Sequence, residues 1–259
     1  MKKNFLIFFM IFIFLIKVSA YDFGEEVKYN GIKFNVLKDN GDSVTLLKKT
    51  PLQANDLNNF GYGHVNEYTT YKVGYPDPVT YTKEAAVSYD YGSIAYYSSS
   101  DCTNIGDKNF SGCSSNYNES EIKYVVDNFG KNLAGDDLRK DSMGYEVRLL
   151  TKEEIEENFN FEYVYKTPSD ANMTFCATEN TPNWLFNGDF WLMSPSDDSN
   201  KVYCFSSNSQ SLYSYYVYAS LGVRPVITID KNALSKSSRK EFYYNKDNIN
   251  DILNRKYMI

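Results

Sequence analysis

One histidine, two tryptophans, no close cysteine pair and no G-x-S-x-G segment leave this chain with few of the parts that common catalytic machinery needs. Any Ser/His/Asp or Cys/His mechanism would have to run through His64, in the loop-like run Gly61-Tyr62-Gly63-His64-Val65-Asn66. A lone loop histidine without a nucleophile motif points away from that chemistry. No C-x2-C spacing is present, which argues against a thiolate zinc site. EF-hand spacing is missing too, so the expected cofactor content is none, with Asp197, Asp198 and Asn200 as one candidate oxygen set for calcium. Positive charge is also short: 27 Lys and Arg face 33 Asp and Glu, a net charge of −6. That balance disfavours nucleic acid and anionic lipid as partners.

Long apolar runs are absent apart from Phe5 to Ile16, too short for the roughly 20 residues that span a bilayer. Lys2 and Lys3 precede this run and Val18-Ser19-Ala20 follows it, the layout of a cleaved secretory signal peptide. The expected mature chain begins at Tyr21, is secreted and keeps no stable membrane anchor. Losing Lys2, Lys3 and Lys17 leaves 24 basic against 33 acidic residues, a net charge of −9.

Export changes how Cys102, Cys113, Cys176 and Cys204 are read, because an even count in an oxidising compartment favours disulfides. Three pairings are possible. Cys102–Cys113 with Cys176–Cys204 is the expected one, since the first pair brackets a Gly-, Asn- and Asp-rich loop with little apolar content. Closing so short a loop is worth on the order of 3 kcal/mol.

What is abundant is tyrosine, 24 residues of it. Residues 27–29, 32–36 and 43–47 are β-prone and divided by Asn30-Gly31 and by 39–42, which predicts a hairpin or three-stranded meander. Residues 50–100 carry no sustained period and read as long loops packed by their own aromatics. Ile122, Val125, Val126 and Phe129 fall at helical spacing, with Asn118 and Glu121 as a capping-box-like start and Gly130 as a stop. Thr151-Lys152-Glu153-Glu154 is a capping box for a second, shorter helix, preceded by an alternating strand over 145–150. Strands are expected at 190–193, 202–205, 213–218 and 223–229. Residues 231–259 read as a polar, solvated tail with at most a short helix near 248–256. The class is α+β: a signal peptide over 1–20, one domain over 21–230 and the tail, with two short helices on small antiparallel sheets.

The run from Leu212 to Ser220 alternates, so Tyr213 and Tyr215 face one way and Tyr216 and Tyr218 the other. With Trp184 and Trp191 they are candidates for an aromatic platform that binds an extracellular glycan or protein partner. The function expected is an exported, non-catalytic binding module; the alternative is an exported hydrolase, glycosidase- or peptidase-like.

Several ordered segments carry a resemblance: KYNGIKFNVLKDNGDSVTLLKKTPL, AYYSSSDC with SGCSSNYNESEIKYVVDNF, GYEVRLLTKEEIEENF, TPNWLFNGDFWLMSP and LGVRPVITID. In this order, over most of residues 25–234, the chain resembles exported bacterial proteins of unknown function of the DUF6273 type. Leu221 to Val226 is similar to the end of the C-type-lectin-like domain of formylglycine-generating enzymes. That likeness implies a C-type-lectin-like architecture in which Arg224 is a buried, structural arginine of the last strand. The enzyme branch binds copper through a close cysteine pair, whereas Cys176 and Cys204 stand 28 positions apart. The resemblance therefore implies the fold and not the oxidase activity.

Overall fold

The computed structural model describes residues 20–53, 56, 87–88, 93–95, 115–164, 174–198, 201–217 and 219–237. The chain is a mixed α+β protein built on two sheets. Strands β1 (Glu26–Tyr29), β2 (Ile32–Asp39) and β3 (Ser43–Lys48) form the expected antiparallel meander. Asn30 and Gly31 both hold positive φ, 46° and 86°, the backbone a two-residue type I′ hairpin requires. Short strands β4 (Val87–Ser88) and β5 (Ser93–Ala95) lie inside the stretch read as loops.

Helix α1 (Glu121–Ala134) starts two residues later than the sequence pattern implied. Asn118 sits in a 3-10 turn and the cap is Ser120, whose hydroxyl accepts from the Lys123 amide at 3.2 Å. The helix also runs straight through Gly130. A Cβ on Gly130 would lie 2.2 Å from Cγ2 of Val147 in β6 (Val147–Arg148), so the glycine permits helix–sheet contact instead of ending the helix. Gly130→Ala is therefore expected to lower stability by about 1–3 kcal/mol. At an open helical site the same change would gain up to about 1 kcal/mol, so the sign of the shift in a urea melt decides between the two roles.

Helix α2 (Lys152–Asn158) carries both halves of the expected capping box. Beyond it come β7 (Phe161–Val164), β8 (Thr174–Ala177), β9 (Phe190–Pro195), β10 (Lys201–Ser206), β11 (Ser211–Tyr216), β12 (Ser220–Gly222) and β13 (Val226–Asp230). One sheet is ordered β1-β2-β3-β13-β6, the other β4-β5-β12-β9-β10-β11-β8-β7. Pairing is antiparallel except between β12 and β9.

Register sets the two cores. Trp191, Cys204 and Tyr213 are direct neighbours across β9, β10 and β11 and share one face. That face meets α1 and the inner side of the five-stranded sheet in one apolar cluster, with Phe34, Val36, Leu46, Ile122, Phe129 and Ile227. Phe190, Phe205 and Leu212 point the other way, into a second cluster with Ile155, Phe159, Phe161 and Phe175. The middle of the eight-stranded sheet is thus buried on both faces, which is why Phe190-Trp191-Leu192 is apolar without alternation.

The last strand, expected over 223–229, begins only at Val226. Val223, Arg224 and Pro225 carry the chain from β12 in one sheet to β13 in the other, where their carbonyls at 223 and 225 accept from Leu52 and Lys48 amides at 2.8 and 2.9 Å. Residues 231–237 are not a solvated tail. They form helix α3, and Leu234 is fully buried in the first core. Among the described residues no helix is long and apolar enough to cross a membrane.

Candidate functional site

The aromatic platform expected from Trp184, Trp191, Tyr213, Tyr215, Tyr216 and Tyr218 does not assemble as a unit. Trp191 is fully buried in the middle strand β9, because its register neighbours Cys204 and Tyr213 lie over the first core. Trp184, in the 3-10 turn Asn183–Phe186, packs edge-on against Phe159 and at a tilt against Phe23, with centroids 5.4 and 5.8 Å away. Tyr213 is half-buried against the core. What stands out at the surface is Tyr215, 44 % exposed, with the Tyr213 and Tyr216 rings 5.9 and 6.4 Å away and Lys201 Nζ 4.7 Å over Tyr216. Tyr218 lies outside the described residues, as does His64.

The expected Cys176–Cys204 bridge is absent, and both residues are free thiols. Cys176 on β8 pairs with Ser211, and Cys204 on β10 pairs with Tyr213, so β11 stands between them. Two strand spacings separate the residues by roughly 9–10 Å across the sheet, and the two-residue stagger along β11 adds to this. A disulfide reaches only about 7 Å between Cα atoms. Cys102 and Cys113 lie outside the described residues. Burial pushes the Cys204 thiol up to about 12, and its Sγ–H donates to the Tyr213 carbonyl at 3.4 Å. Alkylation of the native protein followed by peptide mapping should label the half-buried Cys176 and leave Cys204 unmodified until denaturant is added. Modification of both at equal rates would contradict this packing.

Of the candidate calcium set, Asn200 is outside the described residues and Asp198 pairs with Lys201 at 3.0 Å. Among the described residues no group of three or more His, Cys, Asp or Glu is placed to hold a metal ion.

Arg224 is buried to 1 % exposure. Its Nε donates to the Lys48 carbonyl at 3.1 Å, Nη1 to Leu185 at 2.8 Å, and Nη2 to Lys49 and Trp184 at 3.0 and 3.3 Å. The guanidinium lies 4.8 Å over the Phe190 ring. Burial pulls it down to about 9, still cationic at neutral pH, with carbonyl dipoles in place of a carboxylate.

A concave site that sequence patterns missed lies between α2 and the outer face of the five-stranded sheet. It is a groove of about 360 Å³. A bulge between Val36 and Lys38 gives β2 one residue more than β3, and Leu37 and Lys38 both line the groove beside Thr45. Its back is a buried ion cluster. Arg148 Nε donates to Asp141 at 2.5 Å, while Nη1 and Nη2 grip the two Glu154 oxygens at 2.7 and 2.6 Å. Burial opposes the Arg148 charge, but Glu154 and Asp141 more than offset this and hold it above its ordinary value. Glu154 closes the capping box as well, accepting from the Thr151 amide at 2.9 Å. The cluster therefore locks α2 to the sheet.

Arg148 is spent on that cluster. Facing outward are the exposed Lys38, Asn40, Glu153, Glu157 and Asn158, with exposed Phe23 and Met143 beside them. Phe23 is held by an edge contact to Phe159 at 5.4 Å. Asp141, Glu153, Glu154 and Glu157 against Lys38 and Arg148 give the lining a net charge of −2. The arrangement offers an apolar ring, carboxylate acceptors and amide donors around one hollow.

No protein-family model, curated protein or solved structure matches the chain. What the fold defines is a two-sheet α+β protein with few helices.

Proposed function

We propose that this chain is an exported, non-catalytic binding module and that its ligand is a glycan lodged in the groove beneath α2. The observation that carries the reading is the pairing of exposed Phe23 with outward carboxylates and amides around one hollow. Sugar C–H faces stack on an aromatic ring, while hydroxyls donate to Glu153 and Glu157 and accept from Asn40 and Asn158. The net charge of the lining works against phosphate and other anions. Export rests on residues 1–20. The C-type-lectin-like architecture and the kinship with DUF6273-type exported proteins rest on the sequence resemblance and are part of the same proposal.

A protein partner meeting the Tyr215 ridge is the second reading, favoured by the exposure of that ring between two others. Glycan-array screening of the mature chain, with and without calcium, separates the two when Phe23→Ala and Tyr215→Ala are run in parallel. Phe23→Ala should weaken glycan binding by about 1–3 kcal/mol and Tyr215→Ala should leave it unchanged. Loss of glycan binding on Tyr215→Ala alone would move the site to the ridge, and an array with no binding would remove the glycan reading.

A further inference from the structure

The backbone nitrogen of Tyr21 lies 2.9 Å from Asp39 Oδ2, at the point where the leader is expected to be removed. The same oxygen takes the Lys231 ammonium at 2.6 Å, and Asp39 Oδ1 accepts from the Gly41 amide at 2.9 Å. Lys231 Nζ also stands 5.6 Å over the Tyr21 ring. Asp39 and Lys231 are poorly exposed, with side chains 15 % and 5 % accessible. Ala20, on the other side of the scissile bond, is exposed. A mostly covered carboxylate is thus aimed at the one backbone nitrogen that processing would turn into a cation.

We propose that Asp39 is a docking site for the processed N-terminus of this same chain: cleavage before Tyr21 creates an α-ammonium that pairs with Asp39 and pins the short segment leading to Phe23 at the groove. The inference rests on reading residues 1–20 as a cleaved leader. Hydrolysis of the Ala20–Tyr21 bond by a leader endopeptidase consumes one water. The leader departs with a new carboxylate on Ala20, and Tyr21 keeps the nitrogen, which is protonated to the ammonium. The amide N–H that donated to Asp39 is replaced by a charged donor in the same place, and charge-assisted hydrogen bonds are roughly twice as strong as neutral ones.

The charged groups around the new terminus come from three elements. Asp39 is on β2, Lys231 begins α3, and Asp22 and Glu25 flank the terminus on its own segment, where the Asp22 amide bonds the Glu25 carboxylate at 3.1 Å. Lys231 repels the ammonium, whereas Asp39 bridges both cations. Asp39 also precedes Asn40, and Tyr21 leads into Phe23, both of which line the groove. Processing would therefore finish one wall of the proposed binding site as well as release the chain.

The test uses the secreted chain. N-terminal sequencing should begin at Tyr21; any other start overturns the proposal along with the leader reading. Given that start, acylation of the α-amine near neutral pH should run roughly tenfold slower in the wild type than in Asp39→Asn, as a pKa rise of about one unit requires. Lys231→Gln, which leaves Asp39 in place, should keep the amine protected and so separates docking from any general loosening of the fold. Equal acylation rates in wild type and Asp39→Asn, with the chain beginning at Tyr21, would overturn the docking and leave export standing.

Discussion

Arg224→Ala is expected to cost about 3–5 kcal/mol, enough to remove much or all of the stability of an ordinary domain. The guanidinium ties two stretches that are distant in sequence: the carbonyls of Lys48 and Lys49 after β3, and those of Trp184 and Leu185 in the 3-10 turn. Truncation takes this donor from the Lys48 and Leu185 carbonyls, while Asn187 Nδ2 still donates to those of Lys49 and Trp184 at 3.1 Å each, and each unsatisfied buried group costs roughly 1–3 kcal/mol. It also removes the cation over Phe190, where the two sheets exchange the chain. Arg224→Lys should recover only part of the loss, because a single ammonium on a flexible stem cannot spread over carbonyls on two segments as a planar fork does. Chemical denaturation followed by circular dichroism measures both. A midpoint unchanged by Arg224→Ala would mean that the crossing at 223–225 is held by something else.

Arg148→Ala should cost a similar amount, about 3–5 kcal/mol, for a different reason. Arg224 satisfies neutral dipoles, while Arg148 neutralises Asp141 and Glu154, whose side chains are only 5 % and 24 % exposed. Removing the cation leaves two carboxylates desolvated and close together. Their mutual repulsion is felt only while both are charged, so the variant should be closest to wild type in acid and furthest from it at neutrality. Since Glu154 also caps α2, the groove should open as the helix loosens, so ligand binding should fall together with stability at pH 7. A loss that is the same at every pH would show that Arg148 acts by packing alone.

Local signals were legible where one short segment decides the outcome. Asn30-Gly31 specifies its turn, Thr151 with Glu154 specifies its cap, and the β-prone run 43–47 specifies β3. Gly130 misled because the same residue that ends helices also permits close approach, and only the position of Val147 distinguishes them. The tryptophans and Cys176–Cys204 depended on which strands become neighbours. β7 and β8 add to the sheet through β11, and placing β11 between Cys176 and Cys204 is a tertiary choice that no spacing encodes. The groove draws on residues 23, 37–45, 141–151 and 153–159, four segments whose meeting depends on the β2 bulge and the Arg148 cluster. Neither leaves a periodic trace. Arg224 was legible as a buried arginine through resemblance, whereas its four carbonyl partners were not.

The measurement that tests the account most directly is a calorimetric titration of the mature chain with a glycan selected on the array, with the recovered glycan weighed by mass spectrometry. The account predicts saturable one-to-one binding, weakened roughly tenfold or more by Phe23→Ala and by Glu157→Lys, with the glycan returned intact. Shortened glycan products, or binding that neither substitution alters, would contradict a non-catalytic module working through the groove beneath α2.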